Sequence, residues 1–416
     1  MPRSLSIAIL IAALCGASLA RATEPPITLA EAVRQAGLQA PRVQAQDFAV
    51  AGAEAEAARA GALPEPMLML GIENLPVSGG DAFDPTVEDM TMKRIGVRQE
   101  FPAAAKRKAQ RTVAQRQVDE ARVQAVVERR AVQRAAADAW IDAWAAQHEA
   151  AALERLREQA HLAAKLARAR AGGGGGSLAD ALAVDAAGLE LDLQLEQARG
   201  QREGALATLR RWVPGAGVPS LVDPPRFDAL PLARAQVLAR LDEAAPLLGS
   251  AARVETAAAG IDAARADRRP DWSLTAAYGQ RDRDRSDMLS VEVAIALPWF
   301  QRRVQDRGVL AREAEYRQAL ALRDDERRML AAEIDAAFAR WEALQRQVAL
   351  HEQRLLPLAR DRSAAALAAW RGGDELAPWL DARAAELDIH RSHAGHLGEL
   401  GHAWAALAFL LPEATP

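Results

Sequence analysis

From Ala103 to Val213 the chain contains no proline, and the only break in helical character is the run Gly172–Gly176 followed by Ser177. A helix over 103–171 is on the order of 100 Å long at 1.5 Å per residue. Helices of that length are held by packing rather than by propensity, so the rod needs partners along its whole length. The glycines end one helix and Ser177 caps the next, which predicts a helical hairpin turning at 172–177. Composition fits long helices better than a dense enzyme core: 50% of residues are hydrophobic, only 4% are aromatic and 26% are charged. Lys+Arg number 52 against Asp+Glu 56, a net charge of -4, so no basic surplus is available to neutralise a polyanion and nucleic acid is excluded as a partner.

The same order of signals recurs about 200 residues later, the mark of an internal duplication. Pro66 and Pro270 open strand pairs; Phe101-Pro102 and Leu297-Pro298 close them; Lys106-Arg107 answers to Arg302-Arg303 and Gly172 to Gly372. A first repeat is therefore expected over 23–213, with strands at about 66–75 and 91–101 and a hairpin turn at 172–177. A second follows over 232–416, with strands at about 271–280 and 288–297 and a turn at 371–374. Between them the Pro- and Gly-rich stretch 214–231 reads as a linker. Leu330, Ile334, Ala337, Trp341, Leu344, Val348, His351 and Leu355 alternate spacings of four and three, a coiled-coil seam. Leu397, Leu400, Trp404, Leu407 and Leu411 supply a second seam on the returning helix.

Residues 1–22 read as an export signal: Arg3 gives the positive start, Leu5 to Leu14 the apolar stretch, and Ala20-Arg21-Ala22 the cleavage site. The only cysteine, Cys15, follows Leu14 rather than the small residue a lipidation motif wants, so ordinary cleavage near Thr23 is expected. An exported chain with no remaining thiol fits a bacterial envelope protein held by helix packing, not by disulfides. Beyond the signal no stretch is apolar over the roughly 18 residues a spanning helix requires, so any membrane crossing must use strands. Val291, Val293, Ile295 and Leu297 alternate with polar or small residues; Trp272, Leu274, Ala276 and Tyr278 do the same, and so do Ile95, Val97 and Phe101. One greasy and one polar face suits a half-buried soluble sheet and a barrel strand equally. Four strands cannot close a barrel, whose smallest versions have about eight, and open edges in lipid strand backbone donors and acceptors. If these strands enter a membrane, several copies must complete the barrel.

The residues resemble the TolC-like outer membrane factors, and among them the CzcC and CusC-like branch of heavy-metal efflux. The resemblance rests on Ile27-Thr28-Leu29-Ala30-Glu31-Ala32-Val33 with Ala40-Pro41, on Gln99-Glu100-Phe101-Pro102 leading to Lys106-Arg107, on Leu297-Pro298-Trp299-Phe300, and on the two glycine hairpins. It implies a mainly α protomer with a small β part and duplicated helical hairpins. Three copies would form a helical tunnel through the periplasm, topped by a 12-stranded barrel in outer membrane lipid. It further implies a passive exit duct for heavy-metal cations or small toxic compounds, working with a periplasmic adaptor and an inner membrane pump, the resistance-nodulation-division type foremost. A periplasmic coiled-coil adaptor is the alternative, although such adaptors carry one hairpin where this chain carries two.

No catalytic motif is present: there is no His-Glu-x-x-His, no phosphate loop and no Gly-x-Ser-x-Gly, so neither enzyme activity nor a cofactor is expected. The hairpin ends carry the candidate functional residues. In a threefold channel an inward carboxylate becomes a ring that selects cations, which points to Asp180 and Asp374, with Arg371 as their countercharge; as single residues both aspartates also suit a helix N-terminus. The resemblance makes Arg170, Gly172, Ser177, Leu178, Gly372 and Leu376 the adaptor contacts. His390, His393 and His396, three residues apart, are weak metal candidates, since no carboxylate or cysteine at a matching spacing completes a closed site.

Overall fold

The computed structural model describes residues 27–213, 221–222, 224–281 and 285–411. The predicted signal segment, Cys15 and part of the 214–231 stretch lie outside those residues. The first half runs α1 (Leu29–Gln39), α2 (Pro41–Arg59), β1 (Met67–Glu73), β2 (Met92–Phe101), α3 (Ala104–Gly172) and α4 (Leu178–Arg210). The second runs α5 (Arg234–Ala239), α6 (Ala245–Ala266), β3 (Trp272–Arg281), β4 (Met288–Ile295), α7 (Gln305–Leu350), α8 (Leu356–Gly372) and α9 (Ala377–Ala408). Helix α3 is a single rod of 69 residues, as its missing prolines require. Along its length it packs on α4, α6, α2, α9 and α1, which are the lateral partners such a rod needs.

Local chemistry sets the ends of these helices. Thr28 Oγ1 accepts the Glu31 amide at 3.1 Å, but the Glu31 carboxylate turns outward to Arg34 and Gln35, so only half of the capping box forms. Ser177 Oγ caps α4 by accepting the Asp180 amide at 3.1 Å. Gly373 ends α8 with φ of +116°, a backbone conformation that a Cβ would strain. The heptad seam of the second half does not run through one regular helix. Residues His351–Leu355 form a π-turn between α7 and α8, two residues before Pro357, whose missing N–H cannot serve the Gln353 carbonyl within that turn.

The four strands form one antiparallel sheet in the order β1-β2-β3-β4, so the two strand pairs fuse across β2 and β3. Its register sorts the side chains into two faces. Leu68, Val97, Ala276 and Val291 lie in one rung, Leu70, Ile95, Tyr278 and Leu289 in another, and Phe101, Trp272 and Ile295 in a third. The opposite face carries Arg94, Arg98, Ser273, Thr275, Ser290 and Glu292. Burial is reversed relative to a soluble sheet: Ser273 is 5% exposed and Leu70 is 71% exposed. In water such a face would leave a continuous apolar surface uncovered. An outward apolar band over an inward polar face is the pattern of a transmembrane barrel wall. No helix among the described residues is long and apolar enough to cross a membrane.

At the level where the repeats meet, tryptophans of the long helices pin the connecting segments. Trp140 donates its indole N–H to the Ile27 carbonyl at 3.0 Å, Trp404 to Ala229 at 2.8 Å and Trp341 to Phe227 at 2.8 Å. Ile27 also bridges Leu221 in parallel, and Phe227 is buried against Trp144 and Trp404. The stretch expected to be a linker is, at its described residues, tethered to the core: Leu221 and Phe227 are buried, and the Phe227 and Ala229 carbonyls accept from Trp341 and Trp404.

On the same level His402 lies between Asp138 (3.0 Å) and Asp142 (2.8 Å), one turn apart on α3. Those two hydrogen bonds outweigh desolvation and hold the imidazolium up to a pKa of about 9. A pKa raised on folding stabilises the native state fully below the unfolded value near 6.5, and that contribution is lost as pH climbs through 9. The pair is partly solvated, so the contribution is about 1 kcal/mol after screening. Thermal melts of the wild type should lose stability between pH 6.5 and 9 relative to His402→Gln; parallel pH curves for the two would show that the carboxylates do not charge this ring.

Candidate functional site

The two hairpin ends lie side by side, at the far end of the helices from the sheet. Alanines 163, 164, 167 and 181 with Val184 bring α3 and α4 close, and Trp370, Leu376 and Trp379 from the second hairpin complete one buried cluster. Trp370 and Trp379 stack at 5.7 Å with planes 12° apart. Arg170 joins the hairpins: it donates to the Trp370 carbonyl at 2.5 Å and to the Gly175 carbonyl at 3.3 Å, with its guanidinium 5.3 Å from the Trp370 ring centre. Arg168 closes the first hairpin through two bonds to Asp185, at 2.7 and 3.0 Å, and this contact raises the arginine pKa further.

Against this geometry the predicted residues separate. Gly172, Ser177 and Gly372 are exposed at the turns, and Leu178 is 70% exposed. Leu376, expected as an adaptor contact, is 6% exposed and packed in the cluster that joins the hairpins. The reason is the tight Gly372-Gly373 turn, after which Leu376 opens α9 facing the two tryptophans. Arg170 is likewise turned inward as the link between the hairpins. Asp180 is half-buried behind the Ser177 cap, and Asp374 is exposed with its amide donating to the Ala369 carbonyl at 3.2 Å. Arg371 forms no ion pair within the protomer among the described residues, so Arg371, Asp374 and Asp180 are not brought together in one chain.

The histidines are drawn away from the tip. His393 and His396 face His351 of the π-turn, with ring centres 5.9 and 5.1 Å apart, and His393 Nε2 lies 3.8 Å from Glu352. Burial first, and then neighbouring histidines including His351 and His390, push His393 down to about 4. Burial also lowers His390, against the opposing pull of Glu386. No three histidines, cysteines or acids among the described residues are placed to hold a metal ion. His351 lies on the coiled-coil seam in the sequence pattern, and its place beside these histidines leaves no periodic trace because it comes from the π-turn.

Helix α4 carries another feature missed from the sequence. Leu178, Leu182, Leu189 and Leu193 are all exposed on it, at spacings of four and seven. Such a stripe needs a partner, and within the protomer α4 packs chiefly on α3.

Residues 239–412 match the family described as outer membrane efflux protein. The match takes in most of the second repeat. The fold extends this likeness over nearly the whole chain. A membrane protein from Pseudomonas aeruginosa superposes with a TM-score of 0.77 at 18% identity, covering 93% of this chain and 92% of that one. CusC, described in terms of transmembrane channel formation, matches at 0.76 and 15% identity over 92% of each chain. VceC, an outer membrane protein of Vibrio cholerae, matches at 0.71 and 19% identity over 93% of this chain and 95% of that one. No curated protein matches the sequence. The TolC-like fold expected from the motifs is therefore the fold observed, while CusC stands beside OprN and VceC without separating a heavy-metal branch. The structures it superposes on include ones described as an outer-membrane channel and an outer membrane protein. The adaptor alternative is set aside, because the fold is that of the outer membrane channels.

Proposed function

We propose that this protein is the passive exit duct of a tripartite efflux system, conducting heavy-metal cations or small toxic compounds delivered by a periplasmic adaptor and an inner membrane pump of the resistance-nodulation-division type. The observation that carries the reading is the sheet: its outer face is apolar and exposed, its inner face is polar, and β1 and β4 both end in unpaired edges among the described residues. Edges of that kind are satisfied in lipid only by further strands, and three copies supply twelve. The leucine stripe of α4 then finds its partner on the neighbouring copy, which closes the helices into a tunnel. Chemistry is not required of such a duct. Native mass spectrometry of the detergent-purified protein should show trimers; a stable, monodisperse monomer with full strand content would refute the reading.

At the periplasmic mouth Asp374 and Asp180 of the three copies form carboxylate rings. Arg371, which forms no ion pair in its own chain among the described residues, meets Asp374 or Asp180 of the next copy. Each partly exposed pair contributes only about 0.2–1 kcal/mol, so the mouth is held weakly enough for a partner to open it. The double variant Asp374→Asn, Asp180→Asn should lower cation selectivity and raise conductance in planar bilayers. Unchanged conductance would mean that the two carboxylates serve only their helix ends. Leu178→Asp should abolish efflux with trimers retained, whereas Leu376→Asp should instead loosen the tip, by burying a charge against Trp370 and Trp379.

A further inference from the structure

The two repeats treat their basic pairs differently. In the first, Lys106 binds Asp271 at 2.8 Å, and the other oxygen of that carboxylate accepts the Ala103 amide at 2.8 Å. The corresponding Arg302 and Arg303 of the second repeat are exposed and form no ion pair among the described residues. The two nearby acids are already taken: Asp271 by Lys106, and Asp306 by Arg268 at 2.8 Å. The same turn presents Leu297, Trp299, Phe300 and Val304 to the outside, with Trp299 80% exposed. Backbone bonds hold it folded: the Arg303 and Val304 amides donate to the Phe300 carbonyl at 2.8 and 3.1 Å, so the aromatics and the arginines are fixed together.

Position gives this pairing its meaning. The turn follows β4 directly, beneath the outward rung of Phe101, Trp272 and Ile295, in which Phe101 and Trp272 stack at 4.1 Å. It is the end of the sheet from which the long helices depart, hence the periplasmic edge of the apolar band. Exposed aromatic rings at the edge of such a band sit at headgroup depth, and basic side chains beside them meet lipid phosphates. We infer that the Leu297–Val304 turn is a membrane anchor, in which Trp299 and Phe300 enter the periplasmic leaflet and Arg302 with Arg303 bind the headgroup of an anionic phospholipid. This rests on reading the sheet as a membrane wall. It adds to that reading a lipid preference confined to one repeat, so that a trimer carries three such sites and the first repeat's turn none.

The test uses the full protein purified in mixed micelles of phosphatidylethanolamine and phosphatidylglycerol, with retained lipids counted by native mass spectrometry. Wild type should retain phosphatidylglycerol preferentially, and Arg302→Gln with Arg303→Gln should reduce that preference about thirtyfold, given about 1 kcal/mol for each basic group at an anionic surface. Arg346→Gln with Arg362→Gln, which removes equal charge from the distant helices, should leave it unchanged. Equal retention by the Arg302/Arg303 variant, or an equal loss in the control, overturns the inference. Brominated-chain lipids then separate the two levels of the reading, by comparing quenching of wild type with that of Trp272→Phe and Trp299→Phe. Quenching of Trp272 without Trp299 places the turn against a neighbouring copy and sinks the anchor alone. If neither is quenched, the membrane wall fails with it.

Discussion

Val293→Arg should cost about 2–4 kcal/mol of membrane insertion, while Ala294→Arg, one residue along the same strand, should be tolerated far better. Val293 shares its outward rung with Leu274, and Ala294 lies opposite Ser273 on the inner face. An arginine on the outer face must be buried in hydrocarbon or drag water and headgroups toward it. On the inner face it joins Arg94, Arg98 and Glu292 in a polar lumen. Fractionation of membranes with and without heating, read as the yield of heat-sensitive oligomer, distinguishes the two. Equal tolerance at 293 and 294 would show that β4 does not cross a membrane, and the proposed duct would fall with it.

Trp404→Ala should destabilise the protomer by about 3–5 kcal/mol, among the largest losses expected for one side chain. The indole is 2% exposed, packs on Phe227 and Phe409, and donates to the Ala229 carbonyl, so its removal leaves a cavity and an unserved acceptor where the two repeats join. Trp404→Phe keeps most of the packing and forfeits the hydrogen bond alone, a loss of about 1–2 kcal/mol. Denaturant midpoints of the two variants measure the difference. If both were to unfold alike, the hydrogen bond rather than the packed ring would hold the junction.

Much of the architecture is legible in the chain itself. The proline-free span and the glycine run dictate the rod α3 and its turn, because nothing else in that stretch stops a helix, and period-two alternation marks β2, β3 and β4, because each has one apolar face. Alternation has no sign, however: the same Val293 and Ile295 suit the core of a soluble sheet. Only the assembled sheet shows that the apolar face is the exposed one, since that depends on what stands behind Ser273 and Thr275. The resemblance implies a tip role for Leu376 and Arg170, but local pattern cannot tell inward from outward within a turn, where periodicity ends and the packing of Trp370 on Trp379 decides. His351 and the tethered segment around Phe227 were hidden for a related reason. A π-turn forced by Pro357 and indole bonds to carbonyls more than a hundred residues away are long-range outcomes, and local pattern carries no record of which partner a buried polar group will find.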